Sequence, residues 1–456
     1  MVHTTGRFGE NLVIEGINGS YGWPIIGHTF DYLSDTYAFG RSMRAQYGEV
    51  YRCSAFLQRF IVFNSPAGAE LVLKDEANQF SSKLGWEAFL GRLFPHSLPT
   101  MDFEEHRHHR RIMQSVFKKQ ALVGYVSLID QVVQDNLNQW PSNQSMQAYP
   151  AIKALTLDIA ARAFLGLELK DDADLINRNF VNLNNGLAAI VPWPLPGTAL
   201  QRALKARARI FEYFAPLIHE KRNSNGQDIF SRLCQAQDEN GQDFSDEAIL
   251  YHLSNILAAA HDTSTTSLTI TLDLLCRHPE WQQRLRESCQ KLDPCDVNFE
   301  TLEQLEEIEW VFKEALRLYP PAPQLFRRST QECQFGSHTI PANTQVMVDC
   351  GYIHRSEEYW SNPMQFDPER FSPQRNEHKA HPYMWFPFGG GSHTCIGLRF
   401  AMMTAKLALY HLLRQFTFSA EGKSSYRILP ITKPRNGLPI VLQNISKPMG
   451  SETRIS

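Results

Sequence analysis

The segment Phe388-Gly-Gly-Gly-Ser-His-Thr-Cys-Ile-Gly397 decides the fold assignment, because a glycine-rich loop here presents a single cysteine. Glycine tolerates the positive backbone angles of tight turns and lets a chain approach a flat ligand. Residues 396–413 repeat apolar side chains with helical spacing and predict a helix. Cys395 would stand at its N-terminus, where the helix dipole and amide groups favour a thiolate. We interpret Cys395 as a metal ligand; an inert buried cysteine is the alternative that this loop alone leaves open.

The composition is that of an ordinary globular protein. Of the 456 residues, 43% are hydrophobic and 20% charged, and we find no linker, repeat or low-complexity tract. One large domain over 1–456 is therefore expected, with residues 1–20 and 446–456 as flexible ends. The net charge of −3 gives no reason to expect a nucleic-acid partner. The sequence has neither a signal pattern nor an apolar run of about 18 residues. We therefore expect a soluble, cytoplasmic protein without a transmembrane anchor, although peripheral membrane contact stays open.

The cysteines argue against other kinds of site. They are scattered without Cys-x-x-Cys pairs, which disfavours a zinc site and a disulfide framework and fits a reducing compartment. The eight are Cys53, Cys234, Cys276, Cys289, Cys295, Cys333, Cys350 and Cys395.

The periodicity predicts a mainly α protein with small β-sheets. Short strands are expected at 49–53 and 59–63 from their β-branched and aromatic residues, and again at 345–349. Helical periodicity dominates 102–290, with a break at the three prolines of 191–197.

One long helix is predicted from the N-cap at Ser245 to about Leu275. Asp262 and Thr263 lie at its centre, where a carboxylate and a hydroxyl are costly unless they are hydrogen-bonded or used. Thr263 can bond back to the carbonyl four residues earlier and loosen the helix. An ordinary Ser/Thr-rich helix is the alternative reading.

Several charged residues have spacings that indicate shared helix faces. Glu314 and Arg317 are three residues apart, and His106 and Arg110 are four residues apart. Arg327 lies in a strand-forming stretch after a Pro-Pro turn. A solvated face or a loose metal-binding patch remains the alternative for the His/Arg run at 106–110.

Together these segments resemble the cytochrome P-450 family, in its order and spacing. The loop matches Phe-x-x-Gly-x-Arg/His-x-Cys-x-Gly with His393 as the basic residue. The central helix matches Ala/Gly-Gly-x-Asp/Glu-Thr-Thr/Ser, except that Ala260 replaces a glycine. This replacement puts in doubt the depth of the notch in the helix where oxygen would fit. Glu314 and Arg317, with Arg370, match the family's buried network that braces the cysteine loop.

The resemblance to a soluble, bacterial-type member implies a cytochrome P-450 fold with haem b. Cys395 would be the axial thiolate beside Phe388, a ligand type that pushes electron density towards the iron. Arg328 follows Arg327 and leaves that assignment open by one residue. The residues implied to hold the haem propionates are His106, Arg110, Arg327 and His393.

The implied activity is hydroxylation by a haem-thiolate monooxygenase, with Thr263 and Asp262 aiding protonation. Electrons would come from NAD(P)H through a ferredoxin or flavodoxin with its reductase, because no flavin or nicotinamide domain is visible. Basic side chains expected to dock that carrier are Arg107, Arg111, Lys118, Lys119 and Arg399.

The substrate is expected to be a lipophilic small molecule: a terpenoid, retinoid, sterol or fatty-acid-like compound. Mostly apolar segments would line its pocket, namely 83–94, 187–191, 259–260 and 322–326. A peroxygenase or isomerase of the same fold, or a non-catalytic lipophile-binding protein, is the alternative.

Overall fold

The computed structural model describes residues 16–166, 173–187, 189, 193–238, 241–293, 297–429 and 431–445. Helices dominate, as predicted. They are α1 Thr29–Ser34, α2 Thr36–Tyr47, α3 Pro66–Lys74, α4 Ser82–Trp86, α5 Phe103–Gln114, α6 Lys119–Leu137, α7 Ala148–Ile159, α8 Ala173–Leu187, α9 Ala199–Phe214, α10 Leu217–Asn223, α11 Ile229–Gln235, α12 Asp246–Arg277, α13 Pro279–Gln290, α14 Phe299–Glu303, α15 Glu306–Leu318, α16 Cys350–Ile353 and α17 Leu398–Gln415.

Short helical turns and strands complete the described chain. Two π-helices span Glu87–Gly91 and Ala160–Leu165, and 3₁₀ turns span Leu98–Thr100, Ser115–Phe117, Pro368–Phe371, Glu377–Lys379 and Gly391–His393. The strands are β1 Gly19–Ser20, β2 Val50–Ala55, β3 Gln58–Phe63, β4 Phe80–Ser81, β5 Gln144–Gln147, β6 Gln324–Ser329, β7 Cys333–Phe335, β8 His338–Ile340, β9 Gln345–Asp349, β10 Phe416–Ala420, β11 Tyr426–Arg427, β12 Lys433–Pro434 and β13 Pro439–Asn444.

The largest sheet positions one basic residue of the site. Its strand order is β1-β2-β3-β9-β6-β4, with β6 antiparallel to β9. Arg327 stands opposite Val346 in that pairing and is buried, whereas Arg328 is half-buried and donates to Gln345 Oε1 at 3.2 Å. Successive side chains of a strand point to opposite faces, so the two arginines are directed to different sides of the sheet.

The long helix α12 crosses the helical core. Ser245 caps it by accepting a hydrogen bond from the Ala248 amide. Asp246 and Glu247 lie in its first turn, where their negative charges interact favourably with the positive end of the helix dipole. The helix ends before Pro279, as expected. Its 32 residues correspond to about 48 Å at 1.5 Å per residue, enough to carry central residues far from either end.

The folded chain begins earlier than predicted. Ile17 is only 2% exposed, and Gly19–Ser20 pair in parallel with β2. Residues 17–20 therefore do not belong to the flexible N-terminal end expected for 1–20. Residues 1–15 and 446–456 lie outside the described part. Within that part, no helix combines the length and apolar character needed to cross a membrane.

Candidate active site

The cysteine loop closes on itself and presents its sulfur to the interior. The Cys395 amide donates to the Phe388 carbonyl at 2.8 Å, and the amides of Gly397 and Leu398 hydrogen-bond to the sulfur. Cys395 has exposed surface although protein atoms surround its sulfur, so the sulfur is open to a ligand.

Burial dominates the acidity of this thiol. It raises the pKa of Cys395 above its ordinary value, and the two amides and the nearby Arg110 charge only partly oppose it. Burial thus opposes the thiolate that the helix position favours, and α17 begins only at Leu398, three residues after Cys395. Coordination to a metal ion would deprotonate the sulfur outright.

Two glycines determine where the loop lies. Gly391 has a φ of +61°, and a Cβ there would overlap the carbonyl oxygen of Leu73 in α3. A Cβ on Gly390 would overlap the ring of Tyr383. Only glycine therefore lets the loop pack this closely, and the packing holds the following cysteine in place.

The four predicted basic residues meet around this loop. The rings of His106 and His393 stack with centroids 3.8 Å apart, and Arg110 Nη2 donates to the Thr394 carbonyl at 2.6 Å. Burial, followed by the charges of Arg110 and Arg327, lowers the pKa of His106 to about 4. Burial, then Arg327, His106 and Arg110, lowers the pKa of His393 as well.

These basic groups lack an acidic counterpart in contact. Within the described ranges, none of the four forms an ion pair with a carboxylate, and the buried Nε2 of His106 has no hydrogen-bond partner. Burial lowers the pKa of Arg327 to about 10, although Asp102 and Asp75 act on it electrostatically in the opposite direction. The lowered pKa values of His106 and His393 leave both rings neutral. The half-buried Arg110 and the buried Arg327 remain cations with no carboxylate of the described residues in contact, so the site fits a ligand that carries carboxylates.

The structure distinguishes Arg327 from Arg328 as the arginine of the basic cluster. Arg327 is 5% exposed, donates to the Phe326 carbonyl at 2.8 Å, and affects the pKa of both His106 and His393. Arg328 points to the other face of the sheet. Arg327 is therefore the arginine that joins the basic cluster.

The central segment of α12 has the anticipated back-bond. Thr263 Oγ1 donates to the Ala259 carbonyl at 2.6 Å. The helix nevertheless continues unbroken through these residues, so the expected loosening is not seen in its hydrogen-bonding pattern. Ala260 and Ser264 line a small cavity together with Phe400 and Thr404 of α17, which places this segment beside the helix that follows Cys395.

Asp262 is held from a neighbouring helix, in a way that the sequence did not reveal. Asn184 of α8 donates to Asp262 Oδ2 at 2.9 Å, and His261 Nδ1 lies 3.7 Å from Oδ1. The only signal for Asn184 was a polar side chain in an amphipathic segment, which is too common to identify a partner.

The charged network behind the loop confirms the prediction for Glu314, Arg317 and Arg370. Arg317 forms two hydrogen bonds to Glu314, at 2.6 and 2.8 Å, and Arg370 Nε lies 3.4 Å from the same carboxylate. All three side chains are almost completely inaccessible. Burial raises the pKa of Glu314, whereas hydrogen bonds from Arg317 favour its ionised form.

His354, which the sequence analysis missed, connects this network to the loop. Arg317 Nη1 donates to the His354 carbonyl at 2.6 Å, and the Phe386 amide donates to His354 Nε2 at 3.0 Å. Burial lowers the pKa of His354 to about 3, so its ring stays neutral and can accept that bond. The network therefore reaches the chain two residues before Phe388.

An aromatic wall lies on β6, on the face opposite to the Arg327 side chain. Phe326 stacks on Phe89 at 4.9 Å with an angle of 27° and meets Trp86 edge-on at 5.1 Å. Leu187 and Ala189 are partly buried against the core; residues 188, 190 and 191 of the predicted pocket segment lie outside the described residues. Ala259, in the middle of α12, is exposed.

The comparisons with known proteins agree with this arrangement. Residues 17–439 match the family model Cytochrome P450. The putative cytochrome P450 136 of Mycobacterium tuberculosis is 34% identical over 94% of this chain and 89% of its own length. The taxane 13-alpha-hydroxylase of Taxus cuspidata is 27% identical over 94% of this chain and 92% of its own. A solved structure, "Retinoic acid bound cyanobacterial CYP120A1", has a TM-score of 0.86 at 28% identity and covers 94% of this chain and 99% of its own.

A mainly helical fold that places the cysteine of a glycine-rich loop beside four basic residues is the arrangement of a haem-thiolate protein. The chain belongs to the cytochrome P450 family. It is a monooxygenase, an oxidoreductase, rather than the non-catalytic binding protein that the sequence left open. The family implies a haem-thiolate iron and the use of a separate redox partner.

Proposed function

We propose that this monooxygenase hydroxylates a lipophilic, isoprenoid-like small molecule such as a terpenoid, retinoid or sterol. The aromatic wall of Trp86, Phe89 and Phe326 carries this proposal, because it offers flat apolar surface along β6, the strand that also carries Arg327. A taxane hydroxylase and a P450 with bound retinoic acid among the similar proteins support the same substrate class. A fatty-acid-like substrate fits the wall less well, since a flexible chain gains less from rigid ring faces.

The cofactor in this proposal is haem b, with Cys395 as the iron ligand and Phe388 next to the loop. Haem bound there supplies the dioxygen chemistry of the family. The support is the exposed Cys395 in its glycine-rich loop and the unpartnered Nε2 of His106. Charged and hydrogen-bonding groups favour carboxylates, so we assign the two propionates to His106, Arg110, Arg327 and His393.

Thr263 and Asp262 are proposed to manage protons. The Thr263 hydroxyl donates to Ala259, which leaves its oxygen as an acceptor for a bound water. The Asp262 carboxylate is close enough to Tyr149 and Lys433 to affect the pKa of both groups. It can thus exchange protons between the helix interior and titratable side chains around it.

Electrons are proposed to come from NAD(P)H through a ferredoxin or flavodoxin with its reductase. The basic side chains predicted to dock this carrier are all exposed on α5, α17 and the start of α6. Arg107 pairs with Glu104, and Lys119 lies 3.5 Å from Glu300, so these two are partly neutralised. The local charge favours an acidic carrier, with a docking rate that falls with added salt.

The first experiment is the absorption spectrum of the purified protein, reduced and exposed to carbon monoxide. A long-wavelength, thiolate-type Soret band is expected, and Cys395→Ser should abolish it. Cys276→Ser, at a half-buried cysteine of α12, is the matched control and should leave the band intact. A wild-type protein that takes up no haem, even when haem is supplied during expression, would refute the cofactor assignment.

The second experiment tests the substrate class. Retinoic acid and a taxane are titrated into the ferric protein, and products are analysed with NADPH, ferredoxin and ferredoxin reductase. Binding and hydroxylation of either compound would support the proposal. A normal carbon monoxide spectrum with turnover of only linear fatty acids would contradict the substrate class and leave the haem assignment intact.

A further inference from the structure

The π-helix Glu87–Gly91 depends on one arginine of a distant helix. None of its five residues is buried, yet Phe89 within it forms the aromatic stack with Phe326. The segment turns sharply at its end, where the amides of Leu93 and Phe94 both donate to the Leu90 carbonyl, at 2.9 and 2.8 Å. Short π-helical insertions of this kind are rare and recur at functional sites.

Arg207 of α9 satisfies the carbonyl groups that follow. Its Nη1 donates to the carbonyls of both Arg92 and Leu93, each at 3.0 Å. The guanidinium lies 5.6 Å from the ring centroid of Tyr251 and 6.0 Å from that of Phe211. Such cation–π contacts restrict where the charged group can lie, so the two hydrogen bonds are directed.

The same region is packed tightly from α8. A Cβ on Gly186 would overlap the side chain of Ala203 and lie 3.0 Å from Leu93 Cδ1. Leu93 is completely buried there. Helix α8 also supplies Asn184 to Asp262, so the contacts run from the π-helix through α9 and α8 to the centre of α12.

We propose that Arg207 is a positioning residue for the substrate: its two hydrogen bonds to the carbonyls of Arg92 and Leu93 fix the Phe89 face of the aromatic wall. This inference rests on the proposed function, because it treats that wall as part of the substrate site. Loss of the guanidinium loosens the π-helix, so the substrate must order it on binding, which weakens binding and leaves the cofactor site unchanged.

The test compares Arg207→Met with Arg209→Met. Methionine keeps an apolar stem against Phe211 and Tyr251 but cannot donate, and Arg209 is an exposed arginine of the same helix. Arg207→Met should speed hydrogen–deuterium exchange in residues 84–94 by about tenfold, a typical effect of losing charged hydrogen bonds. The KM for retinoic acid should rise by a similar factor, while kcat and the carbon monoxide spectrum stay constant.

Unchanged exchange in 84–94 would overturn the inference, as would equal effects in Arg209→Met. The exchange measurement needs no substrate, so failure of retinoic acid to bind the wild type would count against the proposed substrate class alone. If Arg207→Met yields no haem protein, Arg207→Gln is measured in the same way. It is polar but shorter and uncharged, so it loses the charged hydrogen bonds to Arg92 and Leu93, and exchange equal to wild type would again refute the role of Arg207.

Discussion

The cysteine side and the substrate side of this site are held in different ways. Backbone hydrogen bonds, two glycine contacts and the inaccessible network of Glu314, Arg317 and Arg370 fix the loop before α17. On the proposed substrate side, side-chain contacts join elements that are far apart in the chain, such as Arg207 to Arg92 and Leu93. The fixed side suits a metal ligand, which tolerates little displacement, whereas the other side can adapt to a substrate.

The largest expected effect tests the rigidity of the cysteine side. Glu314→Gln removes the charge that compensates buried Arg317, and removal of one partner from a buried pair costs about 3–5 kcal/mol. We expect most of the protein to lose its thiolate-type carbon monoxide band and to unfold at lower temperature. Glu306→Gln, at an exposed position of the same helix, is the control. Equal melting temperatures for the two variants would show that the network is dispensable.

A smaller change tests the loop alone. Gly391→Ala forces a side chain into a left-handed conformation, at about 1–2 kcal/mol, and also places its Cβ against Leu73. The fraction of protein with the thiolate-type band should fall. Gly422→Ala has a similar φ, +80°, but open space around its Cβ, so it carries the backbone strain without the overlap. Identical spectra would mean that the contact with α3 does not position the cysteine.

Substitution of Thr263 at the centre of α12 should change the reaction while leaving the fold intact. Thr263→Ala removes the hydroxyl proposed to hold a water, so product formed per NAD(P)H should fall about tenfold, within the range of lost proton-transfer assistance, with release of peroxide. Ser267→Ala removes an equivalent back-bond, from Ser267 Oγ to the Thr263 carbonyl at 2.7 Å, and should stay coupled. Full coupling in Thr263→Ala would show that this hydroxyl does not assist proton transfer.

The smallest effect concerns the junction between α5 and α12, where His109 Nδ1 and His252 Nε2 are 2.7 Å apart. Burial, and then His109, lowers the pKa of His252 to about 3. His252 therefore takes up a proton in the unfolded chain at a pH where it stays neutral in the folded chain, and stability falls as pH drops below about 6.5. The loss is about 1 kcal/mol between pH 7 and 5.5.

Thermal unfolding at several pH values measures this effect. His252→Gln keeps hydrogen-bonding groups but does not titrate, so its melting temperature should depend less on pH than that of the wild type. His108→Gln, at an exposed histidine of α5, should behave like the wild type. The same pH dependence in all three proteins would show that His252 is not the responsible group.

Contacts between residues close together in the chain could be predicted from the sequence, and contacts between residues far apart could not. The loop at 388–397 and the pair Glu314–Arg317 are local patterns, so neighbouring residues alone were enough to reveal them. Asn184 with Asp262, His354 with Phe386 and Arg207 with Leu93 could not be recognised in this way, because common residue types meet only after the helices have packed.

Two features that local patterns did not predict have the same origin. The preference for a thiolate at Cys395 rested on a local helix argument, whereas burial by distant residues raises the pKa of that thiol. The expected flexible end included residues 17–20, which pair with β2 and pack into the core once the sheet forms.

The sequence by itself determined the helical class, the family and the position of Cys395 in its glycine-rich loop, since loop motifs and helix caps depend on neighbouring residues. Only the tertiary structure decided that Arg327 rather than Arg328 joins the basic cluster, and which helices hold Asp262 and the π-helix. Desolvation and contacts between distant elements exist only in the packed chain, and no local pattern encodes them.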